Sequence, residues 1–377
     1  MSSIELLSRF DSFLEEKKSN GNKIIALMSH DNIPIELLEA AGFTPLPLIF
    51  AGNDELMEAS HAHLPPSTCS YAQSCIGYFS STPRMYNFLD LADYILLSNH
   101  CVSNICVTEI ISNNFNLDRL DFYISYTRNS NALKYYKIEL NHLRKKIEDI
   151  TQERIPDFKI KESIIKWNNF KKKIVEVSKL NIMGSEKLKI YQKAILFGPE
   201  IQPEIEQFIE THKNTPKTKN NSKNIIFTGC SIFINDYLID LIEESGGNII
   251  LFDTWIGNNY YSQTISDKIL NSIDDPMELL TNRFENNVYG DHCVPNSLEN
   301  KIIFIENFIN DYHKKYGEQL AVINHIIKFC DHFSLFQASF KEKLQERDIQ
   351  VLNLERDYSR SIRGQLTTRI EAFMEMI

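Results

Sequence analysis

The sequence predicts an α/β protein with two parallel-sheet domains, and three observations point there. Short apolar runs of strand length are each followed by a turn and a segment with helical periodicity, the order expected of a parallel sheet covered by helices. This series occurs twice, over residues 23–101 and again from 224 onward, with a charged, strand-free stretch between. A length of 377 residues, 43% hydrophobic and 24% charged, supplies apolar surface for more than one core.

Leu6, Phe10, Phe13 and Leu14 recur at helical spacing, so residues 3–18 read as an amphipathic helix ending near Asn20 and Gly21. A strand over 23–28 (KIIALM) follows. Pro34 then opens the helix IELLEAAG, which Gly42 stops before a second extended segment over 44–50. Residues 54–61 read as helix, and Pro65 and Pro66 break the chain just before Cys69. A helix over 70–80 leads to a buried strand over 91–97 (LADYILL). Its end delivers Ser98, Asn99, His100 and Cys101, where open α/β sheets place ligands. A further strand is expected over 121–126.

The composition then changes. Residues 133–150 and 160–180 are charged helices with apolar stripes, 183–201 continues helical, and a polar loop to Lys223 marks a boundary. The second series starts at 224 (NIIFTGCS), runs through a helix over 236–244, turns at Gly246 and Gly247, and enters a strand over 248–252. A loop holding Cys293 and Pro295 precedes a helix through Tyr316. A strand over 319–323 leads to Cys330, and a helix over 336–347, a strand over 349–354 and a helix over 365–377 complete the chain. The expected organisation is two Rossmann-like or flavodoxin-like parallel-sheet domains, 1–130 with Cys69 and Cys101 and 221–377 with Cys330, around a helical insertion and linker over 131–220.

A formal charge of −10 argues against a phosphate-backbone binder, which relies on clustered Lys and Arg, so no nucleic-acid partner is expected. Charges run through the first twenty residues, unlike a signal peptide, and no apolar run approaches the roughly 18 residues that cross a bilayer. Seven cysteines, an odd number in a long chain, predict reduced thiols and a cytoplasmic setting rather than a disulfide framework. The sequence has no C-x-x-C, HExxH, Walker or G-x-G-x-x-G motif.

Cys69 and Cys75 are six apart and Cys101 and Cys106 five apart, offsets that on a helix separate the partners by about 240° and about 140°. One of each pair can face a shared site. Cys69 and Cys101 each stand before a predicted helix, where the dipole favours a thiolate, and soft thiolates suit iron–sulfur clusters. A free cysteine is also often a small buried apolar residue. That reading is kept for Cys75, Cys106, Cys230 and Cys293.

Several segments resemble those of 2-hydroxyacyl-CoA dehydratase and benzoyl-CoA reductase subunits. PIELLEAAGFTPLPL (34–48) resembles the family's early Pro, acidic, Leu, Ala-Ala-Gly pattern, and LPPSTCSYAQSCIG (64–77) its first cysteine segment. HCVSN is similar to the second, with Val102 where an acidic residue usually stands. SGGNIILFD (245–253), IIKFCDHFS (326–334), VLNLERDYS (351–359) and GQLTTRIEAFMEMI (364–377) extend the resemblance to the end of the chain.

The resemblance implies a [4Fe–4S] cluster held between the two domains by Cys69, Cys101 and Cys330, with one iron free of protein ligands. It implies as partners an ATP-hydrolysing iron–sulfur activator and a homologous second subunit, or a second copy of this chain. The implied reaction sends one electron to the thioester carbonyl of an acyl-CoA substrate, and the ketyl radical anion so formed expels the neighbouring hydroxyl as water. Ser29 and His30 follow the first strand, from which a family member's side chain could reach the substrate; in that position they could equally cap a helix or line a turn. Related double-cubane cluster proteins, which reduce small molecules, and a non-catalytic relay or scaffold subunit are the alternatives.

Overall fold

The computed structural model describes residues 2–28, 32–81, 83–99, 101–216, 222–289 and 294–377. Among the described residues eight strands form two parallel four-stranded sheets. The first contains β1 (Lys23–Leu27), β2 (Phe43–Pro47), β3 (Tyr94–Ser98) and β4 (Asp118–Phe122) in the order β2-β1-β3-β4. The second contains β5 (Lys223–Gly229), β6 (Gly247–Asp253), β7 (Ala321–Ile327) and β8 (Val351–Arg356) in the order β6-β5-β7-β8. Both sheets have the same winding, and each reverses direction between its two central strands. In such sheets the crevice past the carboxyl ends of those strands is the place for a ligand.

The central strands β1, β3, β5 and β7 are short, mostly apolar runs because helices cover both faces. All seven residues of β7 are buried, the pattern of a central parallel strand. This strand runs four residues past the expected end at 323, since His325 is buried rather than exposed as a polar terminus. Its imidazole Nδ1 bonds the Cys230 carbonyl at 2.8 Å, and its Nε2 accepts from Arg356 Nε at 3.1 Å. Burial and the neighbouring guanidinium hold its pKa well below the usual histidine value, so His325 is a neutral structural link.

The helices Ser130–Thr151, Asp157–Ser178 and Gly184–Phe197 lie between the sheets in sequence. Gln202–His212 is also helical, where the sequence suggested a polar loop: Pro203 starts it, and Ile205 and Ile209 are buried. Three further helices, Asn258–Tyr261, Asp267–Ser272 and Pro276–Asn286, occupy a stretch to which sequence reading gave no element.

The two halves are joined by a contiguous apolar core and by specific polar contacts. Phe50 and Ile234 form an isolated parallel bridge, in which Ala51 N donates to Ile234 O at 2.8 Å and Ile234 N to Ile49 O at 2.9 Å. Tyr71 stacks on Phe233 with ring centroids 4.5 Å apart, and its hydroxyl reaches the carbonyls of Met28 (2.7 Å) and Leu48 (2.9 Å). A buried ion pair between Glu36 and Arg283 adds a third tie. The relative placement of the two sheets is thus fixed by side chains flanking the ends of β1, β2 and β5.

Candidate functional site

Four cysteines come together at the carboxyl ends of the central strands. Cys69 precedes the helix Ser70–Ser81 and is buried. The Gln73 side chain holds its loop by donating to Pro66 O and Thr68 O, both at 3.0 Å, while Ser70 N reaches across to Lys328 O at 3.3 Å. Cys101 follows β3 and caps the helix Val102–Asn114, its Sγ accepting from Asn104 N at 3.2 Å. Asn99 fixes the strand end by exchanging two hydrogen bonds with the Ile124 backbone.

Cys330 lies three residues past β7, its N–H donating to Ile327 O at 2.9 Å. Cys230 follows β5 directly: its N–H donates to His325 O at 2.8 Å, and its Sγ accepts from Ile327 N at 3.3 Å. Gly229 makes this turn possible, with φ of +94° and space so restricted that a Cβ would stand 2.2 Å from His325 O.

The sulfurs sense one another. Interaction with the Cys330 thiol and burial push the Cys69 thiol well above its ordinary pKa. Cys330 is itself held well above by the adjoining Cys230 thiol and by burial, against an opposing contribution from Cys69. Burial raises Cys101 to about 11, reinforced by the field of Cys69 and opposed by the Asn104 and Ser103 amides. Without a metal the three are thiols at neutral pH, so binding a soft cation here must release protons. Cys75 is completely buried and also raised by burial; Cys106, on the helix that Cys101 caps, is exposed.

Several buried polar atoms around this centre have no hydrogen-bond partner: Ser98 Oγ, Asn104 Nδ2, Ser334 Oγ and the Tyr358 hydroxyl. The field of Cys69 and Cys230 reaches Tyr358. Thiol donors with unsatisfied hydrogen-bond donors around them fit a metal–sulfur group, whose sulfur atoms would accept such bonds. Among the described residues no three His, Cys, Asp or Glu side chains are gathered tightly enough to enclose a single metal ion. A cluster, with metal and sulfide between its cysteines, asks for a wider spacing than one ion does.

The structure thus brings together Cys69, Cys101 and Cys330, whereas Ser29 and His30 lie outside the described residues, as do His100 and Cys293. It also adds Cys230, which the sequence reading left as a buried apolar residue. The overlooked signal is positional: in NIIFTGCS the cysteine stands at the carboxyl end of a strand, as Cys101 does after β3.

The model of the family described as 2-hydroxyglutaryl-CoA dehydratase, D-component, matches residues 32–377 of this sequence. The chain belongs to that family. The matched D-component region begins after β1 and includes the whole second sheet and all four converging cysteines. The chain is also similar to YjiM of Escherichia coli (strain K12), a protein named as a candidate dehydratase subunit. The two are 22% identical over 364 residues, which cover 92% of this chain and 89% of YjiM. Among the described residues no helix of this D-component family member is long and apolar enough to cross a membrane.

Proposed function

We propose that the chain is one subunit of an oxygen-sensitive 2-hydroxyacyl-CoA dehydratase, with a [4Fe–4S] cluster held by Cys69, Cys101 and Cys330. It works with a homologous second subunit in a reducing cytoplasm and receives single electrons from an ATP-hydrolysing iron–sulfur activator. Its functional units are 1–130, 131–220 and 221–377. The observation carrying this reading is the convergence of three thiols from segments 32 and 229 residues apart in sequence, at the junction of two sheets.

When bound, such a cluster would supply one-electron reduction of a CoA thioester carbonyl, and the substrate's ketyl radical anion can then expel its neighbouring hydroxyl as hydroxide, which leaves as water on taking up a proton. The chain's own residues hold and protect that chemistry. The thiols give up their protons on metal binding, and the Asn104 amide stabilises the Cys101 sulfur as an anion. The Tyr71–Phe233 ring stack and the Phe50–Ile234 bridge keep the two halves in register around the thiols. Ser29 and His30, next after β1, are the proposed substrate-side groups.

Anaerobic purification followed by iron and sulfide reconstitution tests this reading. The expected result is a brown protein with about four iron per chain, retained in Cys75→Ala and lost in Cys69→Ala and Cys330→Ala. A colourless wild-type protein after reconstitution, or equal loss in Cys75→Ala, would reject it.

A further inference from the structure

We infer that Cys230 is a fourth protein ligand, so that this chain closes its own cluster and serves as an electron relay. The inference rests on the cluster reading above and concerns the iron which the three-cysteine arrangement leaves without a protein ligand.

β5 and β7 are adjacent strands, and Gly229 pairs with His325 at the end of their shared register. Ile327 is bonded to both cysteines: its N–H donates to Cys230 Sγ at 3.3 Å, and its carbonyl accepts from Cys330 N at 2.9 Å. Both cysteines are thus tied to the same residue, and their thiols are within hydrogen-bond reach of each other. Cys69, from the other half of the chain, reaches the same place and interacts with Cys330. Each half thus contributes two thiols, Cys69 and Cys101 from one and Cys230 and Cys330 from the other.

The turn at Cys230 is not free to withdraw. Its amide is bonded to His325 O at 2.8 Å and its carbonyl to His325 Nδ1 at 2.8 Å, and the imidazole is in turn held by Arg356, itself paired with Asp236 in the interior. An independent observation points to the same spot. The Tyr358 hydroxyl is buried, lacks any hydrogen-bond partner, and lies in the field of both Cys69 and Cys230. A cluster bound among these cysteines would offer that hydroxyl a sulfur acceptor.

An iron with a cysteine in its fourth position has no vacancy for a thioester carbonyl. Electrons would then pass through this chain's cluster, and the thioester would bind at the partner subunit of the proposed dehydratase.

The test uses the full chain, purified anaerobically and reconstituted, as wild type, Cys230→Ser and Cys75→Ser. Iron analysis, Mössbauer spectra with added cyanide, and EPR after mild ferricyanide oxidation are read in each. The inference predicts that wild type and Cys75→Ser keep about four iron per chain, show no cyanide-shifted iron and form no three-iron signal. Cys230→Ser is expected to bind cyanide at one iron and to lose about one iron in four on oxidation. Cyanide binding to one iron of the wild type would overturn the inference and leave the cluster reading standing; an iron-free wild type would overturn both. Because the wild-type cyanide result is decisive by itself, a misfolded Cys230→Ser would not shelter the inference.

Discussion

Replacing Arg283 by Met should expose how much the junction depends on its buried ion pair. Glu36 is 1% exposed, on the helix Ile35–Ala40 that follows β1, and Arg283 reaches it from Pro276–Asn286, 247 residues away. Burial alone would push the Glu36 carboxyl up, but the charge and hydrogen bonds of Arg283 outweigh it and hold the carboxyl below its ordinary value. Removing one partner of a buried pair costs about 3–5 kcal/mol. The lower end is expected here, because Lys171 also stabilises the Glu36 charge and the stranded carboxyl can take up a proton. A loss of about 3 kcal/mol corresponds to a fall in Tm of about 4 °C for a chain of 377 residues that unfolds as one unit.

In the wild type Glu36 contributes stability that is present above its unfolded pKa and is lost as pH falls through its lower folded pKa. In Arg283→Met the folded pKa lies above the unfolded one, so the variant loses stability as pH rises. The gap between the two proteins should therefore be widest near pH 7 and narrow toward pH 4, as read by urea unfolding at a series of pH values. Glu36→Leu with Arg283→Met should recover most of the loss, since an apolar pair needs no desolvation of charge. A single variant within 1 kcal/mol of wild type, or a gap that does not change with pH, would refute the reasoning.

Three other perturbations follow from packing and burial. Gly77→Ala should destabilise by about 2–3 kcal/mol in denaturant titrations and lower reconstituted iron, because its Cβ would stand 2.2 Å from Leu56 O and push away the helix that follows Cys69. Tyr71→Phe should cost about 1–2 kcal/mol in the same assay, because Met28 O and Leu48 O lose their shared donor at the junction. Lys187 is 3% exposed, and burial lowers its pKa to about 8. The unfolded chain therefore binds more protons than the folded one between about pH 8 and pH 10.5, and stability rises with pH across that window. Lys187→Met should gain about 2 kcal/mol at pH 7 in thermal or urea unfolding, and the gain should vanish above the window.

Taken by itself the sequence determined the two β-turn-α series, the helical stretch between them and the family to which the chain belongs. These features are local: strand-length apolar runs, turn glycines such as Gly42 and Gly246, and short motifs such as IIKFCDHFS survive in the one-dimensional string. The helix Gln202–His212 was missed for a local reason too, because only Ile205 and Ile209 mark its buried face in an otherwise polar stretch.

Tertiary structure alone decided which strand ends meet. Cys230 and Cys330 are a hundred residues apart and become neighbours only because β5 lies beside β7, while Glu36 and Arg283 pair only because the two halves dock. Hydrophobic periodicity fixes which face of an element is buried. It carries no information about which other element's end supplies the next sulfur or the opposite charge, since that depends on sheet order and on contacts such as Phe50 with Ile234.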